Sequence, residues 1–488
     1  MFTRSSGLLA HVTMLPGPYG SGTFGRDAED FVKLLSDCGF TWWQVLPLSH
    51  PEQGNSPYTS YSAFALNPLL ADPGVMLEDG LITEEEERAA RWQGGHYAVD
   101  FDIVNIMRRN TLEAAFSHIT PAVKRRVTGF TKKNAYWLPD YAKYMAKVDG
   151  FEGKDAENRA KYHEFVQWVL DSQWKRLKKY ANANGIKIMG DMPIYISANS
   201  SDMWAHPELF LTDRKGNPSK IAGVPPDFFS ADGQLWRNPL YNWKNMEADG
   251  YEWWLRRIGK ALEDYDGVRI DHFRGFSAFW AVPAGEDTAR SGKWVKGPGM
   301  KLFGKVKDRF PDADIIAEDL GVLDQDVYDL IDATGYPGMK ILQFAFAGGA
   351  DVDALPHNFR SNIAAYTGTH DNDTTLGFFY NAGESERAYA CRYLGIRGEE
   401  WREGGAYSPA CRAAARAVWE SVATLAMIPY QDLVGWGSDT RFNVPGVPEG
   451  NWSVRVTRES MNTVDRSWWK QLSADTARLG KKSKSVKN

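Results

Sequence analysis

Short apolar runs typical of β-strands alternate along this chain with amphipathic helical patterns. Eight such runs occur, and they cover residues 7–13, 42–48, 186–191, 267–271, 314–319, 339–346, 363–371 and 426–434. Apolar residues at three-to-four spacing predict helices between many of them, for example at 27–39, 165–181 and 253–264. Alternation of strand and helix is typical of parallel βα units, and eight units predict an α/β fold of the (β/α)8 TIM-barrel type.

A doubly wound parallel sheet is the alternative fold. It usually carries a Gly-rich phosphate-binding turn after its first strand, and no convincing turn of that kind is present. We therefore expect a single catalytic barrel over residues 1–488, with large insertions after strands 2, 3 and 4.

Two connections are too long to be simple crossovers. Residues 49–185 are charged and mostly helical in pattern, so we expect a helical insertion subdomain there. Residues 192–266 form the second insertion, and its segment 220–243 is too rich in Pro, Gly and aromatic residues to predict a regular element. Insertions after barrel strands lie at the C-terminal face, where barrel enzymes keep their sites. Residues 480–488 contain four Lys and predict a solvated basic tail.

Composition excludes several classes of partner. The 488 residues carry a formal net charge of −5, so no global charge attracts nucleic acid or acidic lipid. No apolar run reaches the roughly 18 residues that span a bilayer. Three widely separated cysteines form no disulfide framework, and together with the lack of a leader pattern they predict a cytoplasmic protein. The 19 Trp residues are mostly expected in the core, but some could stack on sugar rings.

Residues 267–276, G-V-R-I-D-H-F-R-G-F, mix charged and apolar side chains. With the period of a strand, Val268 and Ile270 share one face while Arg269 and Asp271 share the other. In a barrel the second face points inward, so Asp271 is expected at the upper rim. The guanidinium of Arg269 would favour the ionised carboxylate, as a nucleophile requires. A purely structural buried Arg and Asp pair is the alternative.

Residues 314–319, D-I-I-A-E-D, have the same form. Ile316 and Glu318 would point inward, with Ile315 and Ala317 toward the helices. A carboxyl group in an apolar pocket near other carboxylates has a raised pKa, so Glu318 is predicted to be a general acid.

The run Y-T-G-T-H-D-N-D (366–373) supplies a third acidic residue, Asp371, beside His370. Strict alternation would place these two on opposite faces, so one of them faces inward only if the strand ends by about Thr369. An Asx-rich turn without a functional role is the alternative.

Three carboxylates at strand ends suit the cleavage of glycosidic bonds, with a nucleophile, an acid/base and a group that polarises the sugar. Metal binding is the rival hypothesis, but no H-x-H or H-x-x-x-H pair and no calcium-loop spacing occurs. A G-x-S-x-G nucleophile motif is also absent. We therefore expect neither a metal nor another cofactor.

The chain resembles the amylomaltase, or 4-α-glucanotransferase (disproportionating enzyme), family of the α-amylase superfamily. The motifs that carry the resemblance occur in order along most of the chain. They are L-P-G-P-Y-G (15–20), W-Q-V-L-P-L (43–48), S-P-Y-x-S-Y-S-A-F-A-x-N-P (56–68), G-D-M-P-I-Y (190–195), G-V-P-P-D-F-F-S-x-x-G-Q-L-W (223–236), V-R-I-D-H-F-R-G (268–275), A-E-D-L-G (317–321), G-M-K-I-L-Q-F-A-F (338–346), T-G-T-H-D-N-D-T (367–374), N-V-P-G (443–446) and G-N-W (450–452). The agreement is weakest over 75–185.

The resemblance implies roles for individual residues. Asp271 would be the nucleophile, Glu318 the acid/base and Asp371 the transition-state stabiliser. The implied sugar-binding residues are Tyr58, Asp191, Gln234, Trp236, Arg269, His272 and His370. The segment 220–243 would be a lid over the cleft. The family lacks the C-terminal β-sandwich of ordinary α-amylases, and the chain after 434 is too short to supply one.

The implied reaction is a retaining double displacement on α-1,4-glucans and maltooligosaccharides, with another sugar, including glucose, as the acceptor. An α-glucan hydrolase on the same barrel and a non-catalytic glycan-binding protein are the alternatives. The three carboxylates serve transfer and hydrolysis equally, so the preference for transfer comes from the resemblance alone.

Overall fold

The fold is described by a computed structural model that covers residues 2–226, 230–321, 323–447 and 449–480. The strands are β1 (Ser5–Leu9), β2 (Trp42–Gln44), β3 (Lys187–Met192), β4 (Lys220–Val224), β5 (Gln234–Pro239), β6 (Gly267–Ile270), β7 (Ala278–Pro283), β8 (Lys293–Lys296), β9 (Ile315–Ala317), β10 (Gly338–Ile341), β11 (Ile363–Tyr366) and β12 (Leu425–Pro429). Eight of them form one parallel sheet in the order β10-β11-β12-β1-β2-β3-β6-β9. This nearly closed sheet confirms the predicted (β/α)8 barrel.

Helices surround the barrel and fill its insertions. They are α1 (Arg26–Asp37), α2 (Pro73–Glu78), α3 (Glu84–Ala89), α4 (Phe101–Ser117), α5 (Pro121–Lys133), α6 (Leu138–Val148), α7 (Gly153–Ala183), α8 (Ser201–Ala205), α9 (Trp243–Ala248), α10 (Glu252–Asp264), α11 (Met300–Arg309), α12 (Gln325–Thr334), α13 (Thr375–Asn381), α14 (Glu384–Leu394), α15 (Pro409–Glu420), α16 (Tyr430–Val434), α17 (Arg458–Thr463) and α18 (Arg466–Asp475). Within the described part of the chain, no helix is long and apolar enough to cross a membrane.

Helix ends follow local sequence signals. The side chain of Asp324 accepts a hydrogen bond from the Val327 N–H and caps the start of α12. Gly335, at φ +68°, ends the same helix in the left-handed conformation that glycine adopts without steric cost.

A seam between β9 and β10 closes the barrel with few backbone contacts. The Ala317 N–H donates to the Pro337 carbonyl at 2.9 Å, whereas the Met339 N–H donates to the carboxylate of Asp319. A side chain thus takes the place of a ladder hydrogen bond directly after Glu318. A Cβ at Gly338 would lie 2.5 Å from an oxygen of Asp319, so the seam needs glycine there.

The predicted inward and outward faces of the strands are confirmed. The cluster inside the barrel consists of Trp42, Met189, Ile316, Met339, Ile341, Ala364, Tyr366, Leu425 and Met427. Val268, Ile270, Ile315 and Ala317 belong instead to the large cluster shared with the helices. Alternation therefore leaves the polar residues Arg269 and Glu318 on the barrel side.

Five predicted strands extend too far at their C-terminal ends. Those predicted to reach 13 and 48 end at Leu9 and Gln44. The strand predicted to reach 346 ends at Ile341 and continues as a short 3-10 helix, and the strand predicted to reach 371 ends at Tyr366. The strand predicted to reach 434 ends at Pro429, where α16 begins. Most of the residues that follow these strands are also buried, so burial does not mark where each strand ends.

The insertions after β2, β3 and β6 contain most of the non-barrel structure. Residues 45–186 hold α2 to α7, and residues 193–266 hold β4, β5 and α8 to α10. The expectation that 220–243 lacks regular elements is wrong, because β4 and β5 pair with β7 and β8 in a four-stranded antiparallel sheet, β5-β4-β7-β8. The Pro and Gly residues that prompted it cluster at 225–233, between the two strands, and 227–229 lie outside the described residues.

The end of the described chain is helical. After β12 the described residues form α16, α17 and α18 and no further strand. The predicted basic tail lies, from residue 481 onward, outside the described residues.

Candidate active site

The ends of three neighbouring strands bring the acidic residues together. Asp191 on β3 is in register with Arg269 on β6, which is in register with Ile316 on β9. Asp271 directly follows β6 and Glu318 directly follows β9, and the Glu318 N–H donates to the Ile270 carbonyl at 3.0 Å. Adjacent strands lie about 4.8 Å apart, so these two carboxyl groups stand side by side at the barrel mouth.

Arg269 is shared between two carboxylates. Its Nη1 donates to both oxygens of Asp191 at 2.7 Å, and its Nη2 lies 2.9 Å from Oδ1 of Asp271. Burial disfavours the charge of Arg269, but the two carboxylates outweigh burial and hold the pKa of the guanidinium well above its usual value. Arg269 therefore remains a cation and forms an ion pair with Asp271.

Glu318 has the opposite environment. It is 8% exposed, and burial together with the nearby charge of Asp271 raises the pKa of its carboxyl group to about 7. Arg269 and two backbone N–H donors, from His272 at 2.6 Å and Leu320 at 2.8 Å, oppose that rise. A large fraction of this carboxyl group is consequently protonated near neutral pH.

His272 occupies a backbone conformation that few side chains adopt. Its φ of +48° lies in the left-handed region and turns its N–H toward Glu318. Burial lowers the pKa of the imidazole to about 4, so the ring is neutral at pH 7. The ring of Trp236 packs edge-on against His272 with centroids 4.7 Å apart, and Trp236 donates to Gln234 at 3.1 Å.

His370 and Asp371 lie in the loop after β11. Because the strand ends at Tyr366, strict alternation does not apply to them, and His370 Nε2 lies 3.3 Å from Oδ2 of Asp371. The ring of His370 stacks on Tyr58 at 5.2 Å with an interplanar angle of 14°. The hydroxyl of Tyr58 donates to Asp191 at 2.8 Å and so joins this loop to the strand ends.

Two sets of contacts, which meet where Asp271 precedes His272 in the chain, include all ten residues singled out in the sequence. They are Tyr58, Asp191, Gln234, Trp236, Arg269, Asp271, His272, Glu318, His370 and Asp371. No arrangement of three or more His, Cys, Asp or Glu that could hold a metal ion occurs among the described residues.

Three further residues complete the site and were not identified from the sequence. Asn443 Nδ2 donates to Oδ1 of Asp371 at 2.6 Å, and Arg441 donates to the carbonyl of Asp371 at 3.1 Å. The ring of Trp452 lies 6.0 Å from that of Tyr58. Asn443 and Trp452 belong to quoted motifs, but spacing gave no sign that the C-terminal part of the chain returns to the mouth.

The site and the barrel together define a class of enzyme. The mouth of this (β/α)8 barrel holds a carboxylate paired with a cation and, beside it, a protonated carboxyl group. This arrangement is typical of enzymes that cleave and remake glycosidic bonds. Comparison with known proteins narrows this class. Residues 10–461 match the family model described as 4-alpha-glucanotransferase.

Individual relatives agree with the family model. The 4-alpha-glucanotransferase of Thermus thermophilus is 41% identical over 98% of this chain and 99% of its own length. The 4-alpha-glucanotransferase of Aquifex aeolicus is 41% identical over 93% of this chain and 96% of its own length. An amylomaltase from Streptococcus agalactiae, solved in complex with acarbose, superposes with a TM-score of 0.92 at 36% identity and covers 98% of this chain and 100% of its own. The chain therefore belongs to the 4-alpha-glucanotransferase family, and the predicted transferase function is confirmed.

Proposed function

We propose that this enzyme moves segments of α-1,4-glucans and maltooligosaccharides between chains by a retaining double displacement. Asp271 is the nucleophile, Glu318 the general acid and base, and Asp371 stabilises the transition state. The observation that carries the proposal is the contrast between two adjacent carboxyl groups, since Arg269 holds Asp271 while burial raises the pKa of Glu318 to about 7.

In the first half-reaction the Glu318 carboxyl group gives its proton to the glycosidic oxygen as the bond to the anomeric carbon breaks. A carboxylate oxygen of Asp271 forms the new bond to that carbon, and the reducing-end part of the donor leaves with a free 4-hydroxyl group. In the second half-reaction Glu318 takes the proton from the acceptor hydroxyl, whose oxygen displaces Asp271. Two inversions at one carbon give net retention.

The remaining residues are proposed to hold the sugar. Asp191 and Tyr58 already share a hydrogen bond of 2.8 Å and offer polar groups to sugar hydroxyls at the strand ends. The neutral ring of His272 and the indole of Trp236 offer an apolar surface beside Glu318. Such a surface favours a sugar over water as the acceptor, because it excludes solvent from the glycosyl intermediate.

Incubation with maltotriose tests the proposal and the role of glucose. Transfer gives glucose together with a ladder of longer oligomers, whereas hydrolysis gives only shorter sugars and a binding protein leaves maltotriose unchanged. Labelled glucose added with maltotriose should enter the oligomers if glucose is an acceptor. Asp271→Ala should abolish turnover while the far-ultraviolet circular dichroism stays that of the parent enzyme. A well-folded Asp271→Ala variant with full activity would remove Asp271 as the nucleophile.

A cytoplasmic location is proposed on separate grounds. Cys38, Cys391 and Cys411 are free thiols, which fits a reducing compartment. Activity recovered from another cell fraction would contradict it.

A further inference from the structure

Asp432 is a buried carboxylate that the proposed mechanism does not use. It lies on α16, the helix that directly follows β12, and its side chain is 1% exposed. Burial raises its pKa, while hydrogen bonds from Thr367 and Thr375 oppose that rise. Burial of a carboxylate costs free energy unless hydrogen bonds compensate for the lost water. The hydrogen bonds of Asp432 therefore point to its role.

The donors to Asp432 come from the two ends of one loop. Oδ2 accepts from the hydroxyl groups of Thr367 and Thr375, each at 2.6 Å, and Oδ1 accepts from the Thr375 N–H at 2.6 Å. Thr367 is the first residue after β11, and Thr375 is the first residue of α13. One carboxylate thus joins the start and the end of the segment that carries His370 and Asp371.

The interior of that segment is fixed by other contacts. The side chain of Asn372 accepts from both the N–H and the hydroxyl of Thr369 at 2.9 Å, which folds the segment into a turn. Gln343 donates to the Asp373 carbonyl at 2.7 Å, and Asn443 holds the Asp371 carboxylate itself. These contacts determine the conformation of the turn, whereas Asp432 fixes its position relative to β11 and β12.

We propose that Asp432 is a positioning residue for Asp371, because it fixes both ends of the 367–375 loop and thereby the place where the Asp371 carboxylate meets the sugar. The inference rests on the role given to Asp371 in the proposed function. A shift of about 1 Å in a group that acts in the transition state can cost about 100-fold in rate, so small changes at Asp432 reach the chemistry.

The two threonines give the most direct test. Thr367→Val and Thr375→Val each remove one hydroxyl donor at nearly constant volume, whereas Thr367→Ser and Thr375→Ser keep the donor. We expect the valine variants to lower kcat for maltotriose disproportionation by about tenfold with little change in KM, because Asp371, which these contacts position, acts in the transition state. The serine variants should recover most of that loss.

Thr334→Val is the matched control. Thr334 is equally buried, and its hydroxyl donates to the Ile331 carbonyl at 2.8 Å near the end of α12. Its loss should lower the melting temperature as much as Thr367→Val while kcat stays unchanged. A kcat for both Thr→Val loop variants no lower than that of Thr334→Val would overturn the inference.

A double-mutant cycle separates this inference from the proposed function. If Asp432 acts through Asp371, Thr367→Val should have no further effect on kcat in an Asp371→Asn background, with an activated maltosyl fluoride as donor. Additive losses would overturn the positioning role alone. Full activity in Asp371→Asn by itself would overturn the proposed role of Asp371, and the inference with it.

Discussion

Glu318 and Asp271 are neighbours of the same chemical type with different surroundings. Glu318 is buried and accepts from two backbone N–H groups, whereas Asp271 contacts the guanidinium of Arg269 at 2.9 Å. Glu318 can therefore keep a proton near pH 7, while Asp271 lies against a cation. The proposed roles of acid for Glu318 and nucleophile for Asp271 follow from these surroundings, because both side chains carry the same functional group.

The pKa of Glu318 predicts how activity depends on pH. A general acid must be protonated, so kcat/KM for maltotriose should fall about tenfold per pH unit above the Glu318 pKa of about 7. A maltosyl fluoride needs no protonation of its leaving group, and its kcat/KM should lack this decline. The measurement is a pair of pH profiles with the two donors.

Glu318→Gln is the control for those profiles. It should lose turnover of maltotriose but still release fluoride from maltosyl fluoride in a single burst, since Asp271 remains. An identical decline with both donors would show that the titrating group is not Glu318 acting as the acid.

At the scale of elements, the antiparallel sheet β5-β4-β7-β8 presents different aromatic residues on its two faces. Leu235, Trp280 and Trp294 follow one row across the sheet through Gly223 and so share a face. Trp236 is next to Leu235 in β5 and points to the other face, where it meets His272. The sheet therefore places the indole of Trp236 at the site and those of Trp280 and Trp294 on the opposite face.

Trp236→Ala is predicted to raise the ratio of hydrolysis to transfer several-fold, because water then competes better with the sugar acceptor. The ratio is measured as free reducing ends formed per glucose released from maltotriose. Trp294→Ala is the matched control: it removes an indole that is 44% exposed on the same sheet and should leave the ratio unchanged. An unchanged ratio in Trp236→Ala would exclude Trp236 from the acceptor side.

The seam between β9 and β10 depends on a side chain rather than a ladder. Asp319→Ala leaves the Met339 N–H without its acceptor, and a buried unsatisfied donor costs about 1–3 kcal/mol. We expect urea unfolding to show that loss in the free energy of unfolding. Asp329→Ala removes an exposed carboxylate that accepts from Gln325 on α12, and it should change stability by less than about 0.5 kcal/mol. Equal stability of the two variants would contradict the role of Asp319.

At the scale of the whole molecule, Arg478 ties the end of the described chain to the base of the barrel. It is fully buried and donates to the carbonyl groups of Ser5, Trp419, Ser421, Ala423 and Thr424. These acceptors lie at the start of β1, in the last turn of α15 and in the connection from α15 to β12. Arg478 thus joins the end of the described chain to the start of β1, on the face opposite the active site.

Arg478→Met is predicted to cost about 1.5–3 kcal/mol, because it removes a buried charged donor, although Arg4 still donates to the carbonyl groups of Trp419, Ser421 and Ala423. Differential scanning fluorimetry should show a lower melting temperature, while kcat measured well below that temperature stays unchanged. Arg416→Met removes an exposed ion pair with Glu420 and should have almost no effect. An Arg478→Met variant as stable as the parent enzyme would show that other contacts hold this end of the described chain.

Patterning predicted the barrel well because a strand has a strict period of two. Arg269 and Glu318 were assigned to the inner face from that period, and the clusters around Ile316 and Ile270 confirm it. The same rule failed beyond Tyr366, where the chain leaves the strand and a loop decides the direction of each side chain. Patterning also predicted no strands in 220–243, because the Pro and Gly residues of the turn between β4 and β5 dominate the composition of that segment.

The sequence by itself determined the eight barrel strands, their inner and outer faces and, through the resemblance, the identity of the acidic residues. Those properties depend on local period and residue type, which can be read along the chain. Only the tertiary structure decided that Asn443 contacts Asp371, that Trp452 packs beside Tyr58 and that Asp432 joins both ends of one loop. Such contacts join residues far apart in sequence, and their geometry exists only once the barrel has closed.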